Sequence, residues 1–147
     1  MVLEPSYNLE TLLEQAELLM KEDPDSFRSF YKTHIESRKN WNKKEQKLKS
    51  LMLWGEFLFR NENDYKEAIK TINQAKELID KKTNHYLAAR VLRNLGVCNH
   101  VIGNYDESMR CYLDANTHLE LIPKKTFDQN YELASIVTGK QIGRAHV

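Results

Sequence analysis

Two stretches of this chain carry the same pattern of bulky and small residues about 41 positions apart, and that repetition limits the fold more than any other feature. Leu51-x-x-Trp54-Gly55-x-x-Leu58 aligns with Leu92-x-x-Leu95-Gly96-x-x-Asn99, and Ala68-x-x-x-Ile72-x-x-Ala75 aligns with Ser108-x-x-x-Tyr112-x-x-Ala115. The segments leading into each second half agree as well, Asn63-Asp64-Tyr65-x-Glu67 beside Asn104-Tyr105-Asp106-Glu107. The glycines lie 41 residues apart and the closing alanines 40, so a single loop residue reconciles the copies. A fixed period of this length marks a supersecondary unit that buries its apolar face by stacking on its neighbours. Gly55, Gly96, Ala68, Ser108, Ala75 and Ala115 are the expected points of closest approach. Trp54, Leu95, Ile72 and Tyr112 are expected to fill the adjacent spaces.

Apolar spacing predicts that the repeated units are helical hairpins. Leu9, Leu12, Leu13, Ala16, Leu19 and Met20 make a one-sided stripe that Asn8 can cap. Pro24 fits the first turn of a second helix, with Asp23 as its cap and Phe27, Phe30, Tyr31, His34 and Ile35 on one face, ending near 39–42. A third helix is expected to open near Asn42, with Glu45 at capping-box spacing, and a fourth carries Tyr65, Ala68, Ile69, Ile72, Ala75 and Ile79. A fifth runs from His85 to Ile102 and closes on Gly103-Asn104 as a left-handed pair. A sixth carries Tyr105, Met109, Tyr112, Ala115 and Leu119 until Pro123 stops it, and a seventh starts near Phe127. Five glycines, three prolines and few β-branched runs favour helix and leave no strand to be read. Short turns between such helices make neighbours antiparallel.

The pattern of a bulky residue followed by Leu-Gly, then Ala-x-x-x-aromatic in the partner helix, resembles the tetratricopeptide repeat. The resemblance is clearest over Lys43 to Ile122, extends loosely to the pair at Leu9 to Lys39, and restarts at Tyr131 to Gly139. Two departures stand out: the period exceeds the family's usual 34 residues, and the repeat-ending proline is absent at Asp80 and Glu120. The implied fold is all-α, a right-handed superhelical stack of antiparallel hairpins. Its expected parts are a helix pair at 8–40, repeats at 43–80 and 85–122, and the start of a truncated repeat at 127–141. The last six residues, Ile142-Gly143-Arg144-Ala145-His146-Val147, match the translated frame of a common sequencing-adapter oligonucleotide and are expected to be non-native, so the chain reads as an N-terminal fragment.

In such a stack the first helix of each pair lines the concave surface, so the resemblance implies that partner-binding residues lie there. On the helix from His85 these are Arg90, Arg93, Asn94, Val97 and His100, with Val101 beyond them; on the preceding repeat they are Lys49, Met52, Glu56 and Phe59. Arg offers paired donors to a carboxylate, and Asn pairs with peptide amides; the plain alternative is a solvated helix face. The expected function is a protein- or peptide-binding scaffold or sensory module that regulates a downstream effector. The alternatives are an intracellular peptide-pheromone receptor, or the N-terminal part of a histidine kinase or nucleotide cyclase. An end hairpin left uncovered is expected to self-associate.

Other chemistry finds little support. Lys+Arg 22 against Asp+Glu 21 gives a net charge of +1, so no overall field favours nucleic acid. The basic run Arg38 to Lys49 around Trp41 reads as a solvated helix junction with Trp41 packed as an anchor. His34, His85, His100 and His118 show no metal-ligand spacing, and no cofactor is implied. Cys98 and Cys111 read as packing residues of a protein kept in a reducing, cytoplasmic compartment. No glycine loop cradles phosphate, and no nucleophile set is identifiable, so the chain is read as non-enzymatic. No apolar run approaches the roughly 20 residues of a membrane helix.

Overall fold

The computed structural model describes residues 8–38, 41 and 43–123. Among these, six α-helices and no strand occur: α1 Leu9–Glu22, α2 Pro24–Tyr31, α3 Lys44–Asn61, α4 Tyr65–Glu77, α5 His85–Val101 and α6 Tyr105–Glu120. The expected seventh helix, the repeat at 127–141 and the six-residue tail lie outside the described residues.

Local sequence explains most helix ends. Asn8 accepts the Thr11 amide at 2.8 Å, Asp64 the Glu67 amide at 3.2 Å and Asn84 the Leu87 amide at 3.1 Å, each side chain satisfying a donor that has no partner within its helix. Pro24 opens α2, but Asp23 spends its carboxylate on the Ser26 hydroxyl at 2.6 Å instead of a backbone amide. α2 continues as one π-helical turn, Lys32–Glu36, and so ends short of 39–42. At α3 the cap position is Lys43, one residue later than expected, and its side chain makes no capping hydrogen bond; Asn42 is outside the described residues.

The two repeats turn at equivalent points. Asn63 has φ 54° and Gly103 φ 87°, so each hairpin reverses through one left-handed residue. Only Gly103 of the expected Gly103-Asn104 pair is left-handed, since Asn104 has φ −89° and stands at the cap of α6. The amide of Asp64 then returns to the Leu58 carbonyl at 2.9 Å, and that of Asn104 to the Asn99 carbonyl at 2.8 Å.

Packing follows from these turns. α1 pairs with α2, α3 with α4 and α5 with α6, while α5 lies on α4 and both α1 and α2 reach α3. Phe27 forms the joint between the first two hairpins, its ring 4.7 Å from Phe57 and 6.2 Å from Trp54, and Tyr31 stacks 4.9 Å from Trp54. The Tyr31 hydroxyl is buried and donates to the Ser50 carbonyl at 2.9 Å. Trp41 packs half-buried against the same core, as an anchor should. A smaller core of Ala89, Leu92, Ala115 and Leu119 holds the far side of the last hairpin.

The glycines behave as the repeat pattern demands. A Cβ on Gly55 would stand 2.2 Å from Ile72 Cγ1, and one on Gly96 2.6 Å from Tyr112 Cε1, so both close approaches lie within a hairpin. Ala68, Ala75 and Ala115 have no exposed surface. Ser108 takes the place of Ala68 in the second copy and donates its hydroxyl to the Gly96 carbonyl at 2.7 Å. Because Asn84 alone caps the start of α5, Asn84→Ala is expected to lower unfolding free energy by about 1 kcal/mol in urea melts at unchanged m-value.

Candidate functional site

The first helices of the three hairpins, α1, α3 and α5, bring five polar side chains together. At their centre is Glu56, which has no exposed surface. Arg90 forks onto it from α5, Nε donating to Oε1 at 2.8 Å and Nη2 to Oε2 at 2.9 Å. Asn94, one turn further along α5, donates its amide to Oε1 at 2.7 Å. The remaining Arg90 nitrogen, Nη1, pairs with Glu17 of α1, and Lys49 of α3 approaches the same carboxylate at 3.9 Å. One guanidinium thus ties the first hairpin to the third across the second.

Electrostatics support the charged forms of Glu56 and Arg90. Burial alone would push the Glu56 carboxyl up, but the charge and hydrogen bonds of Arg90, with Arg60 and Asn94 adding to them, hold it below the usual carboxylate range. Burial works against the Arg90 charge, and Glu56 and Glu17 more than offset it, raising the guanidinium above its ordinary value.

This arrangement corrects the expectation of an open, ligand-lined concave face. Of the nine residues placed there, Met52, Glu56, Phe59, Arg93 and Asn94 are buried, while Lys49, Arg90, Val97 and His100 are half-buried. At the centre of this face the Arg90 side chain reaches from α5 to Glu56 of α3 and Glu17 of α1, which takes the place an incoming ligand would need. Arg90 and Asn94, expected to hold a partner's carboxylate and backbone, instead hold Glu56.

What stays open lies to the side. A depression of about 350 Å³ between α1 and the first half of α3 is lined by Glu10, Glu14, Lys43, Glu45, Gln46 and Lys49 above Leu13. Lys43 spans it to Glu10 at 3.8 Å. At the other edge, Val101 of α5 is half exposed.

Two further constellations were not anticipated. Glu17 belongs to a Glu10-Glu14-Glu17 stripe that sequence marks only as a polar face. The rings of His85 and His118 meet with Nδ1 atoms 3.0 Å apart, although neither residue has a histidine at helical spacing.

The two cysteines are in surroundings that disfavour nucleophilic chemistry. Cys98 and Cys111 are buried, and burial pushes both thiols up to about 12, so neither supplies a thiolate at neutral pH. Among the described residues no three of His, Cys, Asp and Glu converge on a common metal position. Nor, among them, is any helix long and apolar enough to cross a membrane.

Comparison with known proteins agrees with this architecture. Residues 47–116 match the sequence model of a family described as tetratricopeptide repeat, a span that takes in most of α3, all of α4 and α5, and most of α6. No curated protein and no solved structure matches the chain.

Proposed function

The chain belongs to the tetratricopeptide repeat family through residues 47–116, and from that premise we propose that it binds a protein or peptide partner in the depression between α1 and α3. Membership supports protein–protein interaction in general. The observation that carries the placement is the contrast along one face: the Glu17–Arg90–Glu56 cluster closes its middle, while Glu10, Glu14, Glu45 and Gln46 remain at an accessible edge over Leu13.

Lys49 belongs to both regions, half-buried beside Glu17 and lining the depression. A partner seated there therefore touches the charge cluster that sets how the first hairpin meets the third. In this reading the module is a scaffold whose geometry answers to occupancy, a regulatory role toward an effector. Nothing among the described residues favours a pheromone-receptor or truncated-enzyme role over it.

Peptides selected from a random library on the whole chain provide the test. Their affinities are expected to fall about tenfold or more in a Glu14→Arg, Gln46→Arg variant, a change of about 1.4 kcal/mol. Lys70→Glu on the exposed side of α4 should leave them unaltered. Selected peptides that bind the double variant as tightly as the original chain would place the partner elsewhere.

A further inference from the structure

The start of α5 and the end of α6 are joined by a contact unlike any other described in the fold. His85 is the first residue of α5 and His118 lies in the last turn of α6; their Nδ1 atoms are 3.0 Å apart and their rings 5.3 Å apart at 42°. Both rings are half-buried. We propose that His85 and His118 form a one-proton clasp that closes the last hairpin and opens when both rings become charged, loosening the smaller core beneath it.

Counting hydrogens gives the reason. In the neutral pair one ring presents Nδ1–H and the other its Nδ1 lone pair. After one proton is added, the charged ring still donates to the neutral one. After a second, both Nδ1 atoms carry hydrogens, no acceptor is left, and two like charges face each other. The unfolded chain has no such limit, because its histidines protonate independently.

The surroundings do not relieve this limit. His118 lines a depression of about 300 Å³ with Lys76 from α4, Ile79 from the connection that follows it, Leu92 from α5, and Asp114 and Thr117 from its own helix. Lys76 opposes a second positive charge and Asp114 favours one, while Asp80 in the α4–α5 connection is engaged by Lys44 and Thr83. The net direction for His118 is downward from 6.5: burial contributes most, His85 adds to it, and Asp114 works against both. A depressed value means that the fold favours the neutral ring. The clasp is therefore intact at pH values above 6.5, and its contribution is lost as pH falls below that value.

The mechanical consequence follows from position. His118 is flanked on α6 by Ala115 and Leu119, which with Ala89 and Leu92 form the smaller core. A doubly charged pair must turn at least one ring toward water, and the last turn of α6 moves with it. Opening is therefore expected to be local and to leave the Phe27–Trp54 joint of the other two hairpins packed.

The measurement is an NMR pH titration of the histidine rings in the whole chain, assigned with His85→Ala and His118→Gln variants. The original chain should show coupled steps, the second below 6.5, and His85→Ala should move the His118 midpoint upward. The folding equilibrium constant of the original chain should fall by up to tenfold per pH unit below 6.5, and by less in His85→Ala. Independent single-proton titrations of both rings near 6.5 in the original chain would overturn the clasp, even if neither variant folded. An unchanged His118 midpoint in a folded His85→Ala variant would overturn it equally.

Discussion

Arg90→Ala is expected to lower the unfolding free energy by about 3–5 kcal/mol, because it leaves the fully buried Glu56 carboxylate without its counter-charge. The loss is not what the pair contributes over an apolar replacement; it is the penalty of a stranded charge. Asn94 still donates one hydrogen bond at 2.7 Å, which is too little to keep a carboxylate ionised away from water. Two measurements separate this cause from simple loss of packing. Glu56→Gln in the Arg90→Ala background removes the charge while keeping the shape, and should recover most of the loss.

The second measurement is pH dependence. In the original chain Glu56 sits below its ordinary 4.5, so its contribution is present above that value and disappears as pH falls through the folded-state value. In Arg90→Ala, burial dominates and the carboxyl is raised, which makes that variant lose stability as pH climbs above 4.5. Urea melts should therefore show the two curves converging in acid and diverging toward pH 7. A constant gap at every pH would show that charge is not the cause.

How much of this was readable from sequence depends on whether an interaction is local. The helices, the hairpin turn at Gly103 and the cap at Asn8 follow from neighbours within a few residues, and the repeat supplied the pairing of α3 with α4 and α5 with α6. Lys43 displaced Asn42 as the cap of α3, and a π turn shortened the second helix; neither has a short-range signature that spacing reveals. The face formed by α1, α3 and α5 was misjudged for a different reason. Glu17 and Arg90 lie on the first and third hairpins, so nothing in either helix announces that they meet.

A signal for the buried charge was nevertheless present. Glu56 follows Leu48 and Met52 at spacings of eight and four, on a stripe whose other members are core. Arg90 and Asn94 likewise interrupt the apolar run of Leu87, Val91 and Leu95. A charged residue on an apolar stripe of one helix, matched by an opposite charge on the next, points to an internal pair before it points to a ligand. The family resemblance favoured the second reading because it assigns first helices to a binding surface, and fold-level analogy does not fix which side chains stay open.

Gly96→Ala is expected to destabilise the chain by about 1–3 kcal/mol through overpacking against Tyr112. The sign is informative, since in an exposed helix the same change would stabilise by roughly 1 kcal/mol. Here the new Cβ would lie 2.6–2.9 Å from three carbons of the Tyr112 ring, and that ring is buried and rigid. Moving it disturbs Ser108, whose hydroxyl bonds the Gly96 carbonyl at the same crossing. Tyr112→Leu alone should also destabilise, because it leaves a void where the ring stood. The two changes together should lose less than the sum of their separate losses, since the shorter side chain makes room for the added methyl. Thermal melts of the four chains give the coupling directly, and simple additivity would mean that the helices do not cross at this glycine. In the equivalent pair, Gly55 with Ile72, the nearest contact falls on the Cγ1 methylene of a β-branched side chain. Gly55→Ala with Ile72→Ala should couple in the same sense. Matching couplings 41 residues apart would show that the two copies are held by one packing solution, with the bulky partner opposite each glycine chosen for its fit.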